Sequence, residues 1–438
     1  MNIKVLEGKE YVQADRLMTM AFNINWSGDH SLEEALAELE QRQREGELLA
    51  ERLGAFDANG ELMAQVEFGE YQSYLWGAPV RMEGIGGVAT LPQFRRQGAV
   101  RRIMALGFER MKARGTVIST LYPFSSAFYG KFGYESFVEA ESWQVDTQGI
   151  RLRHEAPAGT WHLLQDPASA SLRQKQWDRD YRNLTEAVES RYQLGTQRTE
   201  KQWADLIRSA ESHKGEHFSY IFYDADTKPL TCCTLRIGSG EERSVMQLRH
   251  VICRNGEGVR ALLAFLQRFS NDQRRAELLL PTGSSLDRYL SEHAGVASSS
   301  QRLHGMLAVV DVRAFLEHYV RYAPDVRPMQ LSIFDAFSGW NSGLYTIRLD
   351  KTSAYRVDFL PVSEDDEERF KDAVTKLTGD PKQIGSRMHA HPAGLALLLL
   401  GLEDAKHLEA AGLIDVGSED PSALRQLRKQ AVYLAERF

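Results

Sequence analysis

The residues from Gly86 to Val100 carry the densest chemistry in the chain: Gly86-Gly87-Val88-Ala89-Thr90-Leu91-Pro92-Gln93-Phe94-Arg95-Arg96-Gln97-Gly98-Ala99-Val100. A strand pattern ends, a short basic loop turns, and a glycine opens a helix. Unpaired amides at a helix N-terminus, aided by the helix dipole, bind an anion such as a pyrophosphate. At Gly98 no Cβ stands between phosphate oxygens and the backbone. Arg95 and Arg96 put cations at the positive end of the helix, which is unfavourable for the bare helix and favourable once an anion sits there. Local contradictions of this kind mark functional sites. The loop Asn25-Trp26-Ser27-Gly28-Asp29 offers a carboxylate beside an aromatic face. That pair suits an amine-binding pocket through charge and cation–π attraction, although Asp29 is equally suited to capping a helix that starts near Ser31.

These residues need a frame. Ser31-Leu32-Glu33-Glu34 spells a capping box for a helix running to Glu45. Strands are expected at Glu51–Asp57, Leu62–Tyr71, Gln72–Trp76 and Val80–Thr90, with Asn59-Gly60 turning the first hairpin. A helix over Gly98–Arg114, a strand over Thr116–Tyr122 and a short helix around Phe128 follow. Antiparallel hairpins leading into a strand–helix–strand unit predict a mixed sheet covered by helices. Residues 148 to 159 have linker composition. Strands at Phe218–Asp224, Leu230–Ile237 and Val245–Cys253, a helix at Gly258–Phe269 and a strand at Glu277–Leu280 then repeat the order of the first segment. A third segment opens on the apolar stretch Gly305–Val312, continues through a helix at Arg313–Tyr322 and strands at Leu331–Phe337 and Leu344–Leu349, and contains a buried element at Ala393–Leu400. The expected fold class is α/β (α+β), in three domains: 1–147, 148–303 and 304–438.

The loop Arg95-Arg96-Gln97-Gly98-Ala99 after a strand resembles the acetyl-CoA loop of the GCN5-related N-acetyltransferases (GNAT), with Val100 in place of the small residue that usually closes the pattern. The fuller string, Val88-x-x-x-Pro92-x-x-Arg95-Arg96-x-Gly98 followed by branched residues, resembles the enhanced intracellular survival (Eis) branch. Phe128-Tyr129-Gly130-Lys131-Phe132-Gly133-Tyr134 is similar to that family's stretch after the fifth strand. The third segment resembles the sterol carrier protein-like domain that ends Eis proteins, through Gly305–Asp311, Leu331–Asp335 and Ala396–Gly401, and the chain finishes on Phe438.

The resemblance implies tandem GNAT-like mixed-sheet domains, the second degenerate, followed by the sterol carrier protein-like domain. It implies acetyl transfer from acetyl-CoA to primary amines of a polycationic small molecule such as an aminoglycoside. Val88, Ala89, Thr90, Arg95, Arg96, Gly98, Ala99 and Val100 would bind the cosubstrate. Tyr129 matches the family's general acid, a phenol that stays protonated at neutral pH and can donate to a departing thiolate. The terminal carboxylate of Phe438 would accept the amine's proton; Glu83, placed where many GNATs carry a Glu, competes for that role. Trp26 and Asp29 would line the acceptor pocket, and the family implies a hexamer. Two other readings remain open: acetylation of protein or peptide lysines, and a non-catalytic lipid- or partner-binding protein with a vestigial first site.

Composition narrows the field. The chain has 438 residues, 43% hydrophobic and 26% charged, with Lys+Arg 53 against Asp+Glu 60, a net charge of −7. That balance does not favour nucleic acid. Its three cysteines, Cys232, Cys233 and Cys253, exclude a disulfide scaffold and a Cys-rich zinc module, and read as buried thiols. His213 and His217 stand at i, i+4 spacing with no third ligand in sequence, so no metal is expected. The first residues lack a signal-peptide core, and the run Ala393–Leu402 is about half of a membrane span. No membrane association and a cytoplasmic location are the corresponding expectations.

Overall fold

The computed structural model describes every residue except 23–49, 165–171, 204–216, 238–244, 293–295, 365–366, 379–386, 417–430, 433 and 435–438. The expected helix at Ser31–Glu45 therefore lies outside the described residues, as do Trp26, Asp29, His213 and Phe438. The chain forms two compact units, one from Met1–Phe137 with Gly305–Gln430 and the other from Val138–His304 with Ala431–Glu436.

In the first unit, β1 (Asn2–Val5) is followed by helix α1 (Lys9–Phe22), β2 (Ala50–Phe56), β3 (Leu62–Leu75), β4 (Ala78–Thr90), helix α2 (Ala99–Ala113), β5 (Ile118–Leu121) and the single turn α3 (Ser126–Tyr129). β1 to β4 pair antiparallel in chain order, and β5 joins β4 in parallel. Residues 306–309 pair antiparallel with β5, Met306 facing Leu121 and Val309 facing Ile118. The two strands expected at Leu62–Tyr71 and Gln72–Trp76 are one continuous strand, β3. The hairpin turn comes later, at Trp76 (φ 50) and Gly77 (φ 78). Both central residues have positive φ, which two-residue hairpins of right-handed twist require. The Trp76 ring is held by Phe315 and Tyr319, with centroids 5.5 and 5.2 Å away.

Alternation along β3 divides the sheet into two faces. Val66 and Phe68 face α2, where Ile103, Met104, Phe108 and Met111 complete a buried cluster. A Cβ on Gly107 would lie 2.3 Å from the Phe68 ring, so α2 can come this close only with glycine there. On the opposite face α1 packs Tyr11, Ala14, Leu17 and Met18 against Leu6, Phe56, Leu62 and Ala89. A second sheet in this unit has the order Tyr355–Pro361, Gly343–Leu349, Met329–Ile333, Arg387–Ala390 and Ile414–Asp415. The apolar run at 393–400 is a buried helix, Pro392–Leu399.

The second unit repeats the strand–helix–strand order. Its strands run Glu135–Asp146 (which begins in the first unit), Arg275–Leu280, Val245–Cys253, Pro229–Ile237, His217–Asp224 and Gly159–Leu163 from one side of the sheet to the other. Helices Leu172–Glu189 and Gly256–Gln267 pack against it. Cys232 and Cys233 are buried in it and Cys253 is half-buried, all three free thiols. Among the described residues no helix is long and apolar enough to cross a membrane.

Candidate active site

The site is built where β4 leaves its neighbours. β4 and β5 pair from Met82↔Ile118 to Ile85↔Leu121 and then part, while β4 continues to Thr90. On its other edge the β3–β4 register shifts: Glu67 faces Gly86, whereas Gln65 faces Ala89. Two residues of β4, Gly87 and Val88, therefore oppose one of β3. This is a β-bulge, which bends a strand and turns backbone groups out of the ladder. Gly87 has φ 55, a region open to glycine at little cost. The Gly87 carbonyl accepts a hydrogen bond from Gln65 Nε2 at 3.2 Å.

The loop after β4 has anion-binding geometry. Arg96 (φ 63) and Gly98 (φ 80) are both left-handed, and Gly98 caps α2 without any side-chain cap. The first turn of α2 contains no acid, and Arg102 N–H donates to the Gly98 carbonyl at 3.2 Å. The amides ahead of Arg102 thus remain available, in the nest-like arrangement that binds phosphates. No atom lies within 4 Å of where a Gly98 Cβ would be. Glycine is demanded here by φ, while the open space in front fits a ligand. Arg95 and Arg96 are exposed, Ala99 is buried, and Val88 and Val100 pack at the edge of the cluster that holds Ala99 and Tyr129. An elongated ligand with an anionic end, such as acetyl-CoA, fits a strand splayed beside this loop.

α3 delivers Tyr129 to the same cluster. Ser125 caps the turn, its Oγ accepting from Phe128 N–H at 3.3 Å. The Tyr129 ring is 3% exposed and wedged among Phe124, Phe128 and Tyr134, with centroids 5.2, 5.1 and 6.3 Å away. Burial pushes its phenol well above the ordinary value, and among the described residues the hydroxyl has no hydrogen-bond partner. Tyr134 is the opposite case. Its hydroxyl lies 2.6 Å from Ser119 Oγ, which donates onward to the Glu83 carbonyl at 2.8 Å. Tyr134 is a satisfied core tyrosine, whereas no described residue engages the Tyr129 hydroxyl.

Glu83, the competing base candidate, is not free. It is fully buried, with Oε2 2.6 Å from Arg114 Nη2 and Oε1 accepting from Thr116 Oγ1 at 2.6 Å and from Arg114 Nε at 3.1 Å. Both oxygens are committed to holding the end of α2 on the sheet.

Sequence reasoning missed the polar residues that β3 sends to the α1 face. Gln65 and Glu67 flank the bulge at i, i+2. The carboxyl carbon of Glu67 is 2.6 Å from where a Gly87 Cβ would lie, and its Oε2 is 3.0 Å from that point. Arg52 Nε stands 2.6 Å from Glu67 Oε1 without aligning its N–H as a hydrogen bond, and Arg52 Nη1 reaches Asp15 Oδ1 at 2.8 Å. Burial raises the Glu67 carboxyl, with Arg52 opposing and Asp15 adding to the shift. The available signal was the period-two alternation of β3, which sets Gln65 and Glu67 opposite Val66 and Phe68.

The second unit contains a comparable splay. Strands Val245–Cys253 and Arg275–Leu280 pair only as far as Leu248↔Leu278, leaving a cavity of about 390 Å³ bounded by Val251, Cys253, Leu262, Leu280 and Tyr289. The register shift on its other edge places His250 (φ 50) at the bulge. Its Nδ1 lies 2.8 Å from the Tyr181 hydroxyl and its Nε2 3.5 Å from Glu189. The helix that follows is capped by Asn255, whose Oδ1 accepts from the amides of Glu257 and Gly258 at 3.0 and 3.1 Å.

Residues 2–137 match the family described as the acetyltransferase (GNAT) domain. Two curated relatives are uncharacterized N-acetyltransferases. The one from Streptomyces avermitilis is 33% identical over 98 residues, and the one from Streptomyces griseus is 29% identical over 97 residues. Each match spans 22% of this chain and 23% of the relative's length. Among solved structures, a probable N-acyltransferase from Enterococcus faecalis superposes with a TM-score of 0.76 at 19% identity, covering 100% of this chain and 99% of that one. Eis1 from Mycobacterium abscessus superposes with a TM-score of 0.72 at 16% identity over 100% of both chains. Residues 2–137 thus carry an acetyltransferase (GNAT) domain, in a chain that shares its fold with Eis1 and the Enterococcus protein.

Proposed function

We propose that this protein transfers the acetyl group of acetyl-CoA to a primary amine of a polycationic small molecule, in the manner of the Eis branch. The carrying observation is the conjunction, in one cluster, of the bulged and splayed end of β4, the uncapped start of α2 and a buried Tyr129 whose hydroxyl no described residue engages. The left-handed loop with Arg95 and Arg96 would take the pyrophosphate. The β4 edge from Val88 to Thr90 would hold the pantetheine arm and orient the thioester carbonyl, which amide donors stabilise as it becomes an oxyanion.

Bound acetyl-CoA supplies the activated acetyl group. Tyr129 holds its proton through the whole physiological range and delivers it to the departing sulfur. Trp26 and Asp29 are proposed to line the acceptor pocket. The terminal carboxylate of Phe438 is proposed to accept the ammonium's proton. That role rests on the resemblance; ahead of the terminus, within the second unit, Val432 and Leu434 are buried and Val432 exchanges hydrogen bonds with Thr282 at 2.9 and 3.1 Å. The hydrogen bonds that tie both Glu83 oxygens to Arg114 and Thr116 speak against Glu83 as the alternative base.

The second unit is proposed to have lost cosubstrate binding. Asn255 already occupies the amides that a phosphate would need, and Glu257 adds a negative charge. The division into domains 1–147, 148–303 and 304–438, a sterol carrier protein-like character for the last, a cytoplasmic location and a hexameric assembly stay proposals resting on the resemblance.

The test follows thiol release from acetyl-CoA with an aminoglycoside, a polyamine, free lysine and a lysine peptide. Aminoglycoside-dependent release supports the reading, and selective use of the peptide replaces it with protein acetylation.

A further inference from the structure

We infer that Glu67 is the anionic contact that receives the acceptor's ammonium group beside the thioester. The inference rests on the acetyltransferase reading and extends it to a residue that neither the loop motif nor the resemblance singles out. β3 carries Gln65 and Glu67 on the face opposite Val66 and Phe68, so both point to the α1 side of the sheet. Both also touch the bulge. Gln65 holds the Gly87 carbonyl, and the Glu67 carboxylate lies against the position that a Gly87 Cβ would take. A thioester held along β4 at the bulge therefore has Tyr129, in the α2-side cluster, on one face and Glu67 on the other.

The two ends of the Glu67 carboxylate differ. Oε1 faces Arg52, whereas Oε2 has no partner among the described residues and is not sealed from solvent. The side chain as a whole retains 18% exposure. Next to it Gln65 is fully buried with Oε1 unpartnered among the described residues, a second acceptor at the same place. The charged groups facing Glu67 are Arg52 from β2 and Asp15 from α1, with the Tyr11 phenol beneath Arg52. Two carboxylates against one guanidinium leave one negative charge, and a primary ammonium is the complement. An N⁺–H···O⁻ contact of this kind is among the stronger hydrogen bonds available to a ligand. It is also geometrically selective, because only an amine at the end of a flexible or protruding chain reaches a carboxylate set against the sheet backbone.

The test compares two nucleophiles at pH 8 with the full-length protein: 1,4-diaminobutane, which is cationic, and hydroxylamine, which is uncharged. In the wild type both are expected to release thiol from acetyl-CoA. Glu67→Gln is expected to raise KM for the diamine by about tenfold or more. The KM for hydroxylamine and the affinity for acetyl-CoA, measured by calorimetry, should stay within about twofold. Equal effects on both nucleophiles, or none on either, would overturn the role of Glu67. Wild-type inactivity with both nucleophiles would instead overturn the acetyltransferase reading, and this inference with it. If E67Q does not fold, the triple variant D15N/R52Q/E67Q removes all three charges of the group and leaves none uncompensated; the same discrimination between nucleophiles is expected of it.

Discussion

The carboxyl group of Glu67 occupies the space that a side chain on Gly87 would need, its carbon 2.6 Å from the would-be Cβ. The two residues are therefore fitted to each other across the bulge. Gly87→Ala meets two obstacles, the positive φ of 55 and the Glu67 carboxylate. It is expected to destabilise the protein by about 1–3 kcal/mol, read from urea unfolding, and to raise KM for acetyl-CoA because the carbonyl-orienting backbone shifts. Gly98→Ala faces the positive φ but open space, so its stability cost should be the smaller of the two.

In the proposed reaction Tyr129 is the proton donor of the chemical step. Tyr129→Phe keeps the ring among Phe124, Phe128 and Tyr134 and removes only the proton donor. The expected result is a fall in kcat of about 10²–10⁴-fold with acetyl-CoA affinity unchanged. The phenol is active in its protonated form, and burial raises its pKa above the ordinary value of 10. The donor is thus protonated at every pH below that raised value. The wild-type profile should show no alkaline loss from this group as pH rises to 10. Tyr134→Phe, by contrast, should leave kcat nearly intact and cost stability through the lost bond to Ser119.

Glu83 is assigned to structure. Glu83→Ala strips the partner from Arg114 and Thr116 inside the first unit. Removing one member of a buried ion pair typically costs about 3–5 kcal/mol. Arg114 keeps a second partner in Glu51 at 3.0 Å, which favours the lower end. Denaturation midpoints measure the loss, and the kcat of protein that remains folded should be unaltered. A large fall in kcat with full stability would show that Glu83 handles protons.

Arg96 separates charge from conformation. In its left-handed position, Arg96→Gly relieves backbone strain while deleting a cation from the loop. Stability should be unchanged or slightly higher. KM for acetyl-CoA should rise several-fold, with a weaker dependence on salt than the wild type shows. A thioester of pantetheine without the pyrophosphate should not distinguish the two proteins.

Much of this site was legible in the sequence because it rests on local rules. Gly98 after two arginines marks an unusual helix start, the Asn59-Gly60 pair marks a turn, and Ala99–Ala113 has an unbroken helical pattern. The bulge was not legible, because two glycines at 86 and 87 fix neither its position nor its register, which depend on Gln65 and Glu67 across the ladder. The continuity of β3 was hidden for a related reason. Tyr71-Gln72 looks like a break until Tyr71 pairs with Met82 and Gln72 with Arg81. Helix α1 also escaped notice, since its apolar stripe of Tyr11, Ala14, Leu17 and Met18 is made evident by the sheet it covers. The burial of Glu83 was not legible because its partner Arg114 lies at the far end of the following helix.

The central claim is that a thioester held at the β4 bulge is attacked by an amine while Tyr129 protonates the sulfur. The most direct measurement is thiol release from acetyl-CoA by wild type and Tyr129→Phe side by side, with and without an aminoglycoside, each protein first shown to bind acetyl-CoA. The account predicts amine-dependent release by the wild type that falls at least about a hundredfold in the variant with cosubstrate binding intact. Equal release by the two proteins, or none from a wild type that binds acetyl-CoA, would contradict it.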